Sequence, residues 1–316
     1  MTILTNQTKC LVLGGRGFIG THLINSLLSN GYQVRCFDRP NVLPMGNSHL
    51  FNHNFELVEG ELTSEADMYK VLEGCDVCFH FISTTLPKSS NADPVFDIES
   101  NILGTVRFLN NAVKLGLKKI IFISSGGTVY GVPKQTPILE SHPTDPVCSY
   151  GITKLTIEKY LSLFKQLHGL DYTVLRLANP YGEHQRINTS QGAVAVFLAK
   201  VLSSEPVEIW GDGSVVRDYI YISDVVDALM KSLDYEGDEH VFNIGSGRGY
   251  SINEVLDAIE KVTGKQSQRR YLASRVFDVP VSVLSIERAK TLLDWAPKVE
   301  FEDGLLRFSD WLFKEI

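Results

Sequence analysis

Cysteine is scarce and irregularly placed: the 316 residues carry five, Cys10, Cys36, Cys75, Cys78 and Cys148. An odd count without regular spacing argues against a disulfide framework. Cys75 and Cys78 form a CxxC, but it lies in the apolar run GCDVCFHF with no second pair to complete a zinc site, so no metal is expected. Excess positive charge is missing too. A net charge of -7 argues against a nucleic-acid or anionic-membrane partner, while leaving room for a local basic pocket. No apolar stretch reaches the length of a membrane span, and the start, MTILTNQTKC, has no signal-peptide core. The expectation is a cytoplasmic protein. Repeats, low-complexity tracts and long charge runs are absent. What is present is an ordinary globular composition, 44% hydrophobic and 21% charged, in a chain long enough for one large domain or two smaller ones sharing a core.

Short apolar strands alternate with helical stretches through the first half. The strands expected are 9–15 (KCLVLGG), 32–38 (YQVRCFD), 55–60 (FELVEG), 76–82 (DVCFHFI), 118–125 (KKIIFISS) and 172–178 (YTVLRLA). Helical periods such as THLINSLLSN, TVRFLNNAVKLG and KLTIEKYLSLFKQLHG lie between several of them. That alternation predicts βαβ units and a parallel sheet covered on both faces. After about residue 180 the rhythm changes to amphipathic helices (GAVAVFLAKVLSS, SINEVLDAIEKVTG, SIERAKTLLDW) with two more strand-like pieces, RDYIYIS and HVFNIGS. The fold class expected is α/β: a doubly wound parallel-sheet domain over 1–180, with returning segments near 215–245, and a smaller, mostly helical C-terminal substrate lobe over 181–316.

The first strand runs into Gly14-Gly15-Arg16-Gly17-Phe18-Ile19-Gly20 and then directly into a helix. Glycines at 14, 17 and 20 suit a tight turn, close backbone approach to a pyrophosphate and close helix–strand packing. The helix N-terminus offers free N–H groups to the phosphates. Asp38, ending the second strand, suits the two hydroxyls of a ribose and would repel a 2′-phosphate, which favours NAD over NADP; Arg39 beside it pulls the other way. Glu61 and Leu62, after the third strand, are candidates to flank an adenine.

Ser149-Tyr150-Gly151-Ile152-Thr153-Lys154 opens a helix and places Tyr150 and Lys154 four residues apart on one face. An ammonium near a phenol stabilises phenolate and draws its pKa toward the working pH, which suits a general acid or base.

With these motifs the chain resembles the extended short-chain dehydrogenase/reductase family, whose sheet domain is the Rossmann fold. The likeness is greatest to its NAD-dependent nucleotide-sugar epimerases and dehydratases, UDP-glucose 4-epimerase-like members above all. The resemblance covers nearly the whole chain through GGRGFIG, GELT, VCFHFIS, NILGT, SSGGTVYG, SYGITK, LRLANPYGEHQ, IWGDGSVVRDYIYISDVVDAL, NIGSG and RVFDVP. It implies that Tyr150 is the acid/base and that Lys154 lowers its pKa and holds the nicotinamide ribose. Asn101 looks like the helix asparagine that orders the site, and Phe81, Ile82, Ser83 and Ser124 look like cofactor contacts. Asn179 looks like a ligand for the substrate phosphate. Arg217 and Arg275 look like a guanidinium pair on the diphosphate, with Asp278 as their neighbour. Ser282 falls where family members leave room for a 2-N-acetyl group. A homodimer formed through NILGTVRFLNNAVKLG and TKLTIEKYLSLFKQLHG is implied as well, although the apolar faces of those helices could equally be satisfied by the sheet.

One departure stands out. The family's usual catalytic Ser or Thr falls on Gly126. Either Ser125 or Thr128 supplies the hydroxyl, or catalysis has been lost; retention of Tyr150, Lys154 and both arginines favours replacement. The carboxylates that family dehydratases and decarboxylases carry before Val129-Tyr130-Gly131 are also missing, since Gly127 and Thr128 stand there. The activity expected is therefore the simplest, a UDP-sugar 4-epimerase using NAD on UDP-glucose and UDP-galactose or their N-acetyl forms. A nucleotide-sugar 4-ketoreductase or related reductase and a catalytically silent NAD-binding regulatory protein are the alternatives.

Overall fold

The computed structural model describes residues 8–40, 42, 53–187, 192–274 and 279–315. Strand β1 (Lys9–Leu13) is apolar and buried from Cys10 onward. Such a run fits a strand with helices on both faces rather than one wetted on alternate residues. It pairs in parallel with β2 (Gln33–Asp38) on one side and β4 (Val77–His80) on the other. Beyond these lie β3 (Phe55–Glu59), β5 (Lys119–Ser125), β6 (Asp171–Leu177) and β10 (Val241–Ile244), giving a seven-stranded sheet in the order β10-β6-β5-β4-β1-β2-β3. The order reverses between β1 and β4, and open α/β sheets bind ligands at the carboxyl ends of the strands at such a point.

The connections are helices with local reasons to start and stop. Helix α1 (Phe18–Ser29) begins at Gly17, whose missing side chain leaves the first-turn N–H groups uncapped. Helix α2 (Glu65–Leu72) is capped by Ser64. Helices α3 (Pro87–Ala92) and α4 (Pro94–Asp97) lead into a π-helical stretch (Ile98–Leu103) and then α5 (Gly104–Lys114). Helix α6 (Ser149–His168) has no cap of its own; α3 supplies one, with Ser149 N–H on Asn91 Oδ1 at 2.9 Å and Tyr150 N–H on Ser90 Oγ at 3.0 Å. It stops at Gly169, in the left-handed region at φ 72°. The core joins Leu11, Phe37, Met68, Phe108, Phe122 and Leu161. Burying each such side chain contributes about 1.5–3 kcal/mol, so the apolar strand runs also carry much of the stability.

The described residues form two compact units. The first takes the chain up to Gly131 with Thr144–Arg176 and Val226–Phe242; the second takes Val132–Pro143, Leu177–Val225 and the chain from Asn243 onward. The segment Val132–Pro143, which the sequence reading left in the first domain, groups with the second unit. Strand β9 (Val216–Tyr221) is central to that unit, pairing with β7 (Asn179–Tyr181), β11 (Gly249–Ser251) and β13 (Val281–Ser282). Strands β8 (Pro206–Trp210) and β12 (Gln268–Leu272) form a separate parallel pair. Helices α7 (Ala193–Leu202), α9 (Ile252–Thr263), α10 (Glu287–Leu292) and α11 (Phe301–Glu315) complete the unit, and α8 (Ile222–Leu233) runs from it into the first. Two small sheets therefore accompany the helices expected in this lobe. Their strands are two to six residues long, most of them too short for a period-2 pattern to register.

Candidate active site

At the end of β1 the chain turns through Gly14, at φ 81°, and Gly14 N–H reaches Phe37 O at 2.8 Å. A Cβ at Gly14 would stand 3.2 Å from Ile82 N, and one at Gly20 would stand 2.6 Å from Gly14 O. The backbone is thus packed as closely as a cradle for a pyrophosphate requires, under an uncapped helix start. Phe18 and Ile19 lie in the first turn of α1. Asp38 accepts the backbone N–H of Arg16 at 3.0 Å on one oxygen and of Arg39 at 2.9 Å on the other. Each carboxylate oxygen has a second lone pair, so the group keeps acceptor capacity for a ribose hydroxyl. These residues fit NAD. Glu61 is exposed, with its N–H on Asp67. Leu62 is buried and packs toward Gly104, where its Cγ would meet a Cβ placed on that glycine at 3.1 Å.

Phe81, Ile82 and Ser83 follow β4 across the strand-order reversal, with Phe81 N–H on Leu13 O at 3.0 Å. The Ser83 hydroxyl, which donates to Thr85 O at 3.1 Å, is near enough to the Tyr150 phenol to lower its pKa, which puts the phenol near the carboxyl end of β4. Lys154 Nζ lies 5.6 Å from the Tyr150 ring centroid and 4.7 Å from that of Phe122, and donates to Ile123 O at 3.0 Å. The expected pair is therefore assembled, but its electrostatics differ from the expectation. Burial pushes the Tyr150 phenol up, to about 12; Cys148 and Asp97 add to the rise and the Ser83 hydroxyl opposes it. Burial likewise pushes Lys154 down, to about 8, against the charges of Asp97 and Glu158. Spacing places the ammonium beside the ring, but desolvation is what sets the direction of the shift on the phenol.

Behind this pair lies a polar network that the sequence reading reached only through Asn101. Asn101 Nδ2 donates to Asp97 Oδ1 at 3.0 Å and Thr84 Oγ1 at 2.8 Å, and its oxygen accepts Thr84 N–H at 3.0 Å. Asp97 is fully buried. Its Oδ1 also accepts Thr85 Oγ1 at 2.5 Å, and its Oδ2 accepts Ser149 at 2.7 Å and Thr153 at 2.8 Å, the residues that bracket Tyr150. The signal for Asp97 was its place one helical turn before Asn101. Glu158 sits one turn after Lys154 and was also missed; it pairs with Arg176 at 2.6 Å.

That pair also engages Ser124. Its hydroxyl donates to Glu158 at 2.5 Å, in a buried position, which leaves it only acceptor capacity for a cofactor. Ser125 is half-buried, and its carbonyl accepts the N–H of Thr128 at 3.3 Å and Val129 at 3.1 Å. Thr128 Oγ1 is buried with no hydrogen-bond partner among the described residues. Gly151, next to Tyr150, packs against this loop, since a Cβ there would meet Thr128 O at 2.9 Å. Gly126 is buried and brings no hydroxyl.

In the second unit, Asn179, Arg217 and Ser282 gather on one small sheet. Arg217 is paired with Ser282 across β9–β13, and Asn179 with Tyr219 across β7–β9. Arg217 Nη1 donates to Val216 O at 2.8 Å and Val279 O at 2.6 Å, and Asn179 Nδ2 to Asp218 O at 2.9 Å. Arg275 and Asp278 lie outside the described residues. Among the described residues no cluster of side chains suits a metal ion, no helix is long and apolar enough to cross a membrane, and the five cysteines are free.

Residues 10–245 match the NAD dependent epimerase/dehydratase family. The crystal structure of UDP-glucose 4-epimerase from Thermotoga maritima with UDP-glucose superposes with a TM-score of 0.91 at 37% identity, covering 98% of this chain and 99% of that one. A putative UDP-glucose 4-epimerase of Methanocaldococcus jannaschii is 34% identical over 96% of this chain and 97% of its own. A dTDP-4-dehydro-6-deoxyglucose reductase of Escherichia coli is 35% identical over 97% of this chain and 96% of its own. On a match over most of its length and relatives this similar, the chain belongs to the NAD-dependent epimerase/dehydratase family.

Proposed function

We propose that the protein is an NAD-dependent nucleotide-sugar 4-epimerase acting on UDP-glucose and UDP-galactose or their N-acetyl forms. The observation that carries the reading is the buried Tyr150 phenol with the Lys154 ammonium 5.6 Å from its ring, on a helix start that packs at Gly151 against a 126–128 loop without a carboxylate. A dehydration would need an added acid and base there; a proton relay at one hydroxyl needs only the phenol. Tyr150 takes the proton of the sugar 4-hydroxyl in one half of the cycle and returns it in the other. NAD, when bound, supplies the hydride acceptor and donor for carbon 4 and a positive ring charge that favours the phenolate. Lys154, enclosed and held on Ile123 O, contributes its ammonium to the same balance. Asn179 and Arg217 hold the diphosphate, with Arg275 and Asp278 in the adjoining segment, so that the sugar can turn while its nucleotide stays anchored. Ser282, small and buried, leaves room for a 2-N-acetyl group.

Incubating the purified protein with UDP-galactose and with UDP-glucose should interconvert them without added cofactor. No turnover with either, or with the N-acetyl forms, rules the reading out. The likeness to the reductase of E. coli and the glycine at 126 favour a second reading, a nucleotide-sugar 4-ketoreductase. Net oxidation of NADH or NADPH by a 4-keto nucleotide sugar identifies it.

The reading includes a homodimer. Leu103, Leu163 and Leu167, on the two helical segments expected to pair, are 42–64% exposed, while Phe108, Ile157 and Leu161 on the same segments face the core. A second copy would cover the exposed set, and light scattering at twice the chain mass checks it. Four of the five cysteines are buried and all are free, which suits a reducing cytoplasm.

A further inference from the structure

Strands β2 and β3 are parallel neighbours in which Asp38 is paired with Glu59. Paired residues of adjacent strands share a face, so two carboxylates emerge side by side at the ribose end of the glycine cradle. Arg16, the one non-glycine residue between Gly14 and Phe18, spans both. Its backbone N–H donates to Asp38 Oδ2 at 3.0 Å and its guanidinium Nη1 lies 2.6 Å from Glu59 Oε1. The Arg16 side chain is 11% exposed and that of Glu59 43%. Arg39 is exposed, with its side chain unpaired among the described residues.

We infer that Glu59 is a determinant of dinucleotide preference, acting by tying down the Arg16 guanidinium that would otherwise receive a 2′-phosphate. Asp38 serves a 2′-hydroxyl as an acceptor and repels a phosphate dianion at the same place. Arg16 has the planar donor fork that suits phosphate oxygens, but Glu59 occupies it and adds a second negative charge. The cradle thus holds a phosphate ligand that is neutralised in advance. A half-exposed ion pair adds little to stability, so Glu59 can be changed without loss of the fold. The inference depends on the dinucleotide site and not on the sugar chemistry.

The test is equilibrium binding of NAD+ and NADP+ to the full chain, measured by calorimetry after removal of co-purified dinucleotide. The wild-type protein should prefer NAD+. Glu59→Gln should bind NADP+ about tenfold more tightly, the gain from one charge-assisted hydrogen bond, with NAD+ affinity within about threefold of wild type. In Glu59→Gln/Arg16→Ala the gain should vanish. No gain in Glu59→Gln overturns the inference, and so does a gain that survives loss of Arg16, which would mean that removal of a negative charge acts alone. Retained NAD+ binding shows that each variant is folded. Wild-type protein that binds neither dinucleotide would overturn the cofactor site itself, whatever the epimerase assay gives.

Discussion

The Arg176 guanidinium lies 2.6 Å from the Glu158 carboxylate, and neither side chain is more than 5% exposed. Ser124 Oγ donates to the same carboxylate at 2.5 Å, and Arg176 Nη1 donates to Tyr130 Oη at 3.0 Å. The pair thereby ties β6 to α6 and to both ends of the 126–128 loop. A buried charge that loses its partner keeps its desolvation penalty without the Coulombic return. Arg176→Met should therefore destabilise the protein by about 3–5 kcal/mol in urea unfolding. Arg176→Met/Glu158→Leu should recover much of that loss, because no charge is left stranded. A double variant no more stable than the single one would contradict this account.

His80, at the end of β4, is fully enclosed, with its ring edge-on to Phe108 and Phe122 and Nε2 3.0 Å from Thr105 Oγ1. Burial, and secondarily the charge of Lys154, pushes its pKa down from 6.5 to about 3. Between those two values the unfolded chain binds a proton that the folded chain refuses. The stability associated with neutral His80 is complete above about pH 6.5 and falls as the pH drops toward 3, by about 3–5 kcal/mol across the window. His80→Leu should cost some stability at pH 7.5 by orphaning Thr105, yet lose less between pH 7.5 and 4.5. Parallel pH profiles of unfolding free energy for the two proteins would show that His80 is not the titrating group.

Asp97 has both oxygens filled by hydroxyls and the Asn101 amide, and two of those hydroxyls bracket Tyr150. Besides Asp97, the groups that bear electrostatically on Lys154 are Glu158, His80 and, beside its ammonium, the Phe122 and Tyr150 rings. Asp97→Asn keeps most hydrogen bonds and removes one of the two charges holding Lys154 protonated. The alkaline limb of kcat should move to lower pH, with the rate at pH 9 falling about tenfold and the rate at pH 6.5 falling less. A uniform loss at all pH values would mean that Asp97 acts only by packing.

What the sequence revealed and what it hid divide along a physical line. The glycine turn, the buried strands and the Tyr150–Lys154 spacing are local patterns, set by φ, strand burial and helical periodicity. Glu158 with Arg176, and Asp97 with Thr153, meet only when strands and helices from distant parts of the chain dock. Leu62 and Ser124 likewise have contacts more than thirty residues away, with Gly104 and Glu158, that no local pattern announces. Lys154 near Tyr150 was legible as proximity, but the rise of the phenol to about 12 depends on how completely the fold excludes water, which spacing does not encode.

The glycine at 126 leaves the site short of one hydroxyl, and the loop offers two replacements with different surroundings. Ser125 is the half-buried last residue of β5; Thr128 carries a buried Oγ1 without a partner among the described residues. An unsatisfied buried hydroxyl costs about 1–3 kcal/mol, and a site that will hydrogen-bond a sugar oxygen gives a reason to keep one. Thr128→Val should therefore leave stability unchanged or raised, while lowering turnover by about 10²–10³, the loss typical of one transition-state hydrogen bond. Ser125→Ala should lower turnover far less. Opposite signs in stability and activity separate a hydroxyl kept for chemistry from one kept for folding, because a structural hydroxyl would lower both. If Thr128→Val turns over UDP-galactose at the wild-type rate and Ser125→Ala does not, the replacement for the missing side chain lies on the strand instead of in the turn.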